Sequence, residues 1–218
     1  MKLFSAIKSL FVVGACAFAF ASALPVQKAS AQLFGWGEPN VEGRHVVSFK
    51  TTHAAGSIVV SFGDRRLYYI LPGNKAISYP IAIPKGEAAW SGNFSVTDKK
   101  VNPVWTPTED MRRQNPKLPA FVAGGDPRNP LGVRALYVGD TLYRIHGTDA
   151  PWLIGDAVSH GCVRMFNKDV VDLYDRVPVG TKIIVTWNKF NTSKSPSYAS
   201  GNSSRNVNFS RSVFNLDF

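Results

Sequence analysis

Cysteine is almost missing from this 218-residue chain, which has two, Cys16 and Cys162. So few thiols exclude a disulfide-dense scaffold and a four-cysteine zinc module. Acidic residues are also short, 15 against 25 Lys and Arg, which leaves a net charge of +10. There is no internal repeat. The one nearly continuous apolar run, residues 10–24, falls short of the ~18 or more residues that cross a bilayer comfortably, so no transmembrane span is expected in the mature protein. What is present is ordinary for a folded domain. The chain is 44% hydrophobic, which is enough for a core and too much for a mainly disordered polypeptide. Its 18 Gly and 14 Pro favour many turns over a long helical bundle.

The apolar run follows Lys2 and Lys8 and precedes Ala29-Ser30-Ala31, so residues 1–31 read as a signal peptide cleaved before Gln32. Ala21-Ser22-Ala23 is a second possible site. Two competing readings are an uncleaved anchor and a lipoprotein acylated at Cys16 after Val13-Gly14-Ala15. Export places the protein in the periplasm or cell wall. Cleavage removes three lysines and no acids, so the charge falls from +10 to +7. A basic exported protein collects near polyanions such as wall polymers, although charge of this size also serves solubility alone. Arg65-Arg66, Lys99-Lys100 and Arg112-Arg113 are scattered rather than clustered, so nucleic acid is a poor partner.

Residues 32–52 read as an N-terminal arm with a short strand over residues 46–49, 53–190 as the folded domain, and 191–218 as a Ser/Asn-rich basic tail. Short β-rich runs dominate the middle. Residues 57–62 and 66–70 flank Gly63-Asp64-Arg65 as a hairpin, and residues 135–138 and 142–145 flank Gly139-Asp140 as another. Residues 76–82 alternate β-formers, but Pro80 predicts an edge or an end. Residues 94–96 read as a brief strand and 182–187 as a closing strand. Residues 99–134 hold six prolines and little periodicity, so they read as a long irregular wall or lid beside a cleft. Asn167 is expected to cap a short helix with Val170, Val171 and Tyr174 on its apolar face.

Chemistry concentrates in Ile145-His146-Gly147-Thr148 and Ser159-His160-Gly161-Cys162-Val163-Arg164. With Cys16 removed, Cys162 can form no intramolecular disulfide, and a lone thiol in an oxidising compartment needs a reason. A neighbouring histidine supplies one, by taking the thiol proton so that sulfur can attack an acyl carbon. That imidazole needs a third group to fix its tautomer, and Asp149, Asp156 or a backbone carbonyl could serve. Gly161 leaves room for substrate, and amides around Cys162 could form an oxyanion pocket. Arg164 could bind a substrate carboxylate or be a plain surface charge. Tyr143 and Trp152 are candidate cleft walls. Two other readings stand beside this one: zinc held by Cys162, His146 and His160, and a buried cysteine beside satisfied core histidines.

The HGT triplet followed by SHGCVR resembles the active-site signature of the L,D-transpeptidase catalytic domain of YkuD type, and the resemblance runs over roughly residues 57–187. It implies a mainly β, sandwich-like fold with a short helix. It also implies acyl transfer on peptidoglycan stem peptides in cell-wall biogenesis. By the same resemblance Cys162 is the nucleophile, His146 moves the proton, and the Gly147 carbonyl orients the ring. His160 and Gly161 shape the site, Ser159 supports the loop, and Arg164 occupies a substrate-binding position. The acyl acceptor could be a second stem, a wall-anchored protein or water, and a catalytically silent wall-binding protein is a further alternative. Covalent catalysis of this kind calls for no metal and no organic cofactor. One departure is plain: many relatives carry T-P-x-G where this chain reads Ala89-Trp90-Ser91-Gly92.

Overall fold

A computed structural model describes residues 41–194. The signal peptide, the lipoprotein alternative, most of the expected arm and the tail beyond residue 194 lie outside the described residues.

Two strands, β4 (Lys75–Pro84) and β5 (Gly92–Val101), are each ten residues long and decide the architecture. The first half of β4 pairs with β3 (Arg66–Leu71) on one side and β1 (His45–Ser48) on the other. Its second half leaves that sheet. Ile81 and Ala82 pair with β9 (Val163–Met165), while Ile83 and Pro84 pair with β8 (Ala157–Ser159). β5 turns a matching corner. Residues 92–95 pair with β10 (Lys182–Thr186), and residues 96–101 pair with β6 (Arg134–Val138) after a bulge between Val96 and Asp98. Bulges of this kind re-aim a strand. With β2 (Ile58–Ser61) between β3 and β10, and β7 (Arg144–His146) between β6 and β9, the path returns to β4. Two sheets thus share two corner strands and close over one core. This is the mainly β, sandwich-like fold that the sequence led us to expect.

Ile58, Val60, Leu67, Tyr79 and Ile81 from the first sheet meet Leu136, Val138, Ile145, Val163 and Met165 from the second. Val59, Tyr68 and Ile70 face the other way and join Val47, Phe49 and Ala76 in a second apolar cluster, covered by Phe190. β2 is therefore buried on both faces, which explains its unbroken Ile-Val-Val run. Helix α2 (Asn167–Arg176) packs on β6 and β7 through Val170 and Leu173.

Several expectations change. Pro80 marks neither an edge nor an end, because β4 continues past it. β1 reaches only Ser78 and β9 begins at Ile81, so a residue without an N–H falls where the strand changes neighbours. β5 is far longer than residues 94–96. The irregular segment shrinks to residues 102–133 and contains a helical turn, α1 (Glu109–Gln114), capped by the Thr108 hydroxyl, which accepts from Met111 N. Inside it, the buried Asn129 amide donates to the Pro103 carbonyl at 2.8 Å and accepts from Leu131 N at 2.9 Å, so side-chain bonds replace a ladder. α2 begins after Phe166, and Asn167 does not cap it. Finally, β1 and β11 (Ser193–Lys194) lie in the stretches read as arm and tail, yet they pair with each other and add two strands beside β4.

Candidate active site

Strands β7 and β9 run parallel, with Ile145 opposite Val163 and His146 opposite Arg164. Side chains alternate across a strand, so residues two apart share a face. Ile145 and Val163 point into the core and are fully buried. Their neighbours Arg144, His146, Cys162 and Arg164 share the other face, and all four line one cavity of about 920 Å³. The far wall comes from Trp105, Thr108, Asp110, Met111 and Gln114, so the proline-rich segment does wall a cleft.

The loop that carries Cys162 is pinned at both ends by β4. β8 enters it and β9 leaves it, and both pair with residues 81–84. Within the loop the Ser159 hydroxyl donates to the Cys162 carbonyl, while Gly161 N donates to the Ser159 oxygen at 3.4 Å. Gly161 has φ +130°, and a Cβ there would sit 2.5 Å from Tyr143 Cε1. Only glycine suits both demands. Its carbonyl accepts from the Trp90 indole at 2.6 Å, and that indole stacks on Tyr143 with centroids 4.5 Å apart. Trp90 thus ties the approach to β5 to the loop that carries Cys162.

His146 is held from behind. Its Nδ1 lies 2.6 Å from the Gly147 carbonyl. A carbonyl only accepts, so Nδ1 carries the hydrogen of the neutral ring. The carbonyl therefore does the orienting, and neither Asp149 nor Asp156 lines the cavity. Asn167 fixes the next residues. Its Oδ1 accepts from Thr148 N at 3.1 Å and Val133 N at 3.4 Å, and its Nδ2 donates to the Thr148 carbonyl at 2.9 Å. A Cβ on Gly147 would collide with that Oδ1, which explains the glycine of the HGT triplet.

The electrostatics differ from a ready-made thiolate–imidazolium pair. Burial, with help from the Arg164 and Arg144 charges, pushes His146 down to about 3 against the pull of the Gly147 and Leu131 carbonyls. Burial also pushes the Cys162 thiol up, while Arg144 and Arg164 pull it back. Both groups therefore rest neutral near pH 7. His160 and Ser159 also line the cavity, His160 as an exposed residue and Ser159 as a buried one. Trp152 does not join them. It lies on the turn Pro151–Leu153, 46% exposed and outside the lining, so the structure gives it no place in the cleft wall. Among the described residues no three His, Cys, Asp or Glu side chains are grouped to hold a metal ion.

The sequence reading missed Arg144, Trp90 and Asn167 as site residues. Arg144 was legible from the two-residue alternation about His146. The other two act through contacts that no local pattern encodes.

Comparison with known proteins gives a consistent result. The family model YkuD, described as the L,D-transpeptidase catalytic domain, matches residues 55–185. The probable L,D-transpeptidase ErfK/SrfK of Escherichia coli K12 is 44% identical over 133 residues, covering 58% of this chain and 42% of that one. The probable L,D-transpeptidase YcfS of the same strain is 36% identical over 152 residues, covering 65% and 47%. The chain thus matches under half the length of these curated relatives. A solved structure, the Ldtfm–avibactam carbamoyl enzyme, superposes with TM-score 0.50 at 20% identity, covering 63% of this chain and 51% of that one, a likeness of fold.

Proposed function

This chain belongs to the YkuD-type L,D-transpeptidase catalytic-domain family, and we propose that it is an exported peptidoglycan L,D-transpeptidase with Cys162 as nucleophile. The observation that carries the proposal is the shared face of β7 and β9. It sets Cys162 and a tautomer-fixed His146 in one cavity of about 920 Å³.

The geometry suits the following sequence. The stem tetrapeptide enters with the amide between diaminopimelate and its terminal D-Ala over Cys162. Sγ attacks the carbonyl carbon as the thiol proton passes to His146 Nε2, so the charged pair forms only during attack. The C–N bond breaks, His146 returns the proton to the departing D-Ala nitrogen, and a thioester remains. An acceptor amine then attacks the thioester, giving one proton to His146. The C–S bond breaks, and the proton restores the thiol. With the amine of a second stem the product is a 3→3 crosslink. Arg164, on the cavity face beside Cys162, suits a substrate carboxylate. Water as acceptor would make the enzyme a carboxypeptidase, and a protein lysine would make it an anchoring enzyme.

The test is intact mass after exposure to a carbapenem. One adduct on Cys162, absent from Cys162→Ala, is expected, and an adduct that survives the substitution overturns the assignment. Incubation with purified tetrapeptide muropeptides then sorts the acceptors. Dimers lacking D-Ala indicate crosslinking, and tripeptides alone indicate hydrolysis.

A further inference from the structure

We propose that Arg144 is a further catalytic residue, whose guanidinium stabilises the negative charge that develops on the Cys162 sulfur during attack. The proposal rests on Cys162 being the nucleophile.

The β-register sets the arrangement. With Ile145 opposite Val163, the residue opposite Cys162 is Arg144, and both side chains emerge on the cavity face. Arg144 Nη1 donates to the Leu142 carbonyl at 3.0 Å, and Cys162 Sγ lies 3.9 Å from that same oxygen. Guanidinium and thiol therefore converge on one atom. Arg144 Nε is buried with no hydrogen-bond partner of its own, and the Arg144 charge pulls the thiol's ionisation down against burial. From the other side the guanidinium lies 4.7 Å over the Tyr137 ring, and Tyr137 is the register partner of Arg144 on β6. A planar cation stacked on an aromatic face is held in place before substrate arrives, at little further entropic cost.

The need for such a group follows from the site itself. Burial disfavours a thiolate, and the His146 ring is neutral at rest, so it offers sulfur no positive charge until it has taken the proton. A fixed cation beside the sulfur stabilises charge as it forms and needs no reorganisation at that moment. The other titratable groups lining the cavity are Tyr143, His146, His160, Arg164, Glu87 and Asp110. Asp110 is paired with Arg113, and Arg164 is assigned above to substrate.

The experiment follows alkylation of Cys162 by iodoacetamide from pH 6 to pH 10, localised by peptide mass, in the full chain, in Arg144→Gln, Arg144→Lys and Tyr137→Leu. Alkylation tracks the thiolate. Arg144→Gln is expected to move the ionisation midpoint up by about one pH unit, a roughly tenfold slower reaction at pH 8. Arg144→Lys should stay within about threefold of the parent. Tyr137→Leu, which frees the guanidinium, should shift the midpoint in the same direction by less, and it reads the same quantity if Arg144→Gln does not fold. With tetrapeptide substrate kcat should fall while KM holds. An unmoved midpoint overturns the proposal, as does a raised KM with the midpoint unchanged, which would make Arg144 a substrate-carboxylate ligand. If alkylation shifts as expected but tetrapeptide never acylates Cys162, the transpeptidase reading fails and the Arg144 contact stands.

Discussion

The Trp90 indole N–H donates to the Gly161 carbonyl at 2.6 Å, so the residue just before Cys162 is gripped from a different strand corner. Phe62 and Phe94 meet the same indole edge-on, and Tyr143 stacks on its face, so the donor is locked in direction. Trp90→Phe keeps much of the aromatic packing and loses the hydrogen bond. The loss of one such bond, about 1 kcal/mol, should slow acylation by a carbapenem about fivefold. The melting temperature should fall by only about 2–4 °C. Trp90→Ala should lower both, with roughly 3–5 kcal/mol lost in urea unfolding. Equal acylation rates for the parent and Trp90→Phe would show that the indole does not hold the loop.

Asn167 joins three segments that meet nowhere else in the sequence: Val133, the Gly147–Thr148 turn and the start of α2. Asn167→Ala leaves the Thr148 N–H and carbonyl without their partner, at about 1–3 kcal/mol in stability. It also frees the Gly147 carbonyl that orients His146. Acylation should therefore fall by more than the unfolding free energy alone would suggest, at temperatures where the variant is still fully folded. Paired urea titrations and carbapenem kinetics at 20 °C would measure both. Asn167→Asp keeps the acceptor and should recover part of the loss.

These two residues show where sequence reading reached its limit. The hairpin of β2 and β3 was legible because β-branched runs flank a Gly-Asp-Arg turn, and the β6–β7 hairpin was legible for the same reason. That Cys162 and His146 would share a site was legible from the HGT and SHGCVR stretches, and both line one cavity. β4 was not, since a proline inside a strand normally argues for an edge, and only the closed topology reveals that β4 changes neighbours there. Asn167 directly before an apolar helical stripe looks like a cap. The structure spends its amide on the histidine turn instead, and local spacing carries no information about a partner 19 residues away. The order inside residues 102–133 was hidden for a related reason, because Asn129 helps supply it through a side-chain bond to Pro103, 26 residues away.

The depressed basicity of His146 makes a prediction about pH. An ordinary histidine loses its free nitrogen near pH 6.5. Here burial holds the ring neutral down to about 3, so the proton acceptor is intact throughout the range in which enzymes are assayed. Acylation by a carbapenem should show no inflection between pH 5 and pH 7.5. Any change in that window should be a smooth rise with pH from the thiol, whose own ionisation burial has moved upward. A bell-shaped profile with an acidic limb near 6.5 would mean that the ring is solvated and that a thiolate–imidazolium pair exists at rest.

Asp169 lies in the first turn of α2, 1% exposed, with neither carboxylate oxygen hydrogen-bonded. Arg44 Nε stands 3.8 Å from Oδ1, too far for a good bond. Burial pushes this carboxyl above its usual range, and Asp172 adds to that, while Arg44 and Lys168 oppose it. The sign follows from linkage. A folded-state value above the unfolded one means that the native protein binds the proton more tightly. The stabilisation is full below the ordinary carboxylate value near 3.9 and is lost as pH rises through the raised native value. Asp169→Asn removes the titration. Relative to the parent it should therefore gain stability as pH climbs from 3.5 to 7, by about 1 kcal/mol at the neutral end. Urea unfolding across that range measures the difference directly. A variant whose disadvantage grows toward neutral pH would mean that the Arg44 attraction outweighs the cost of burying the charge.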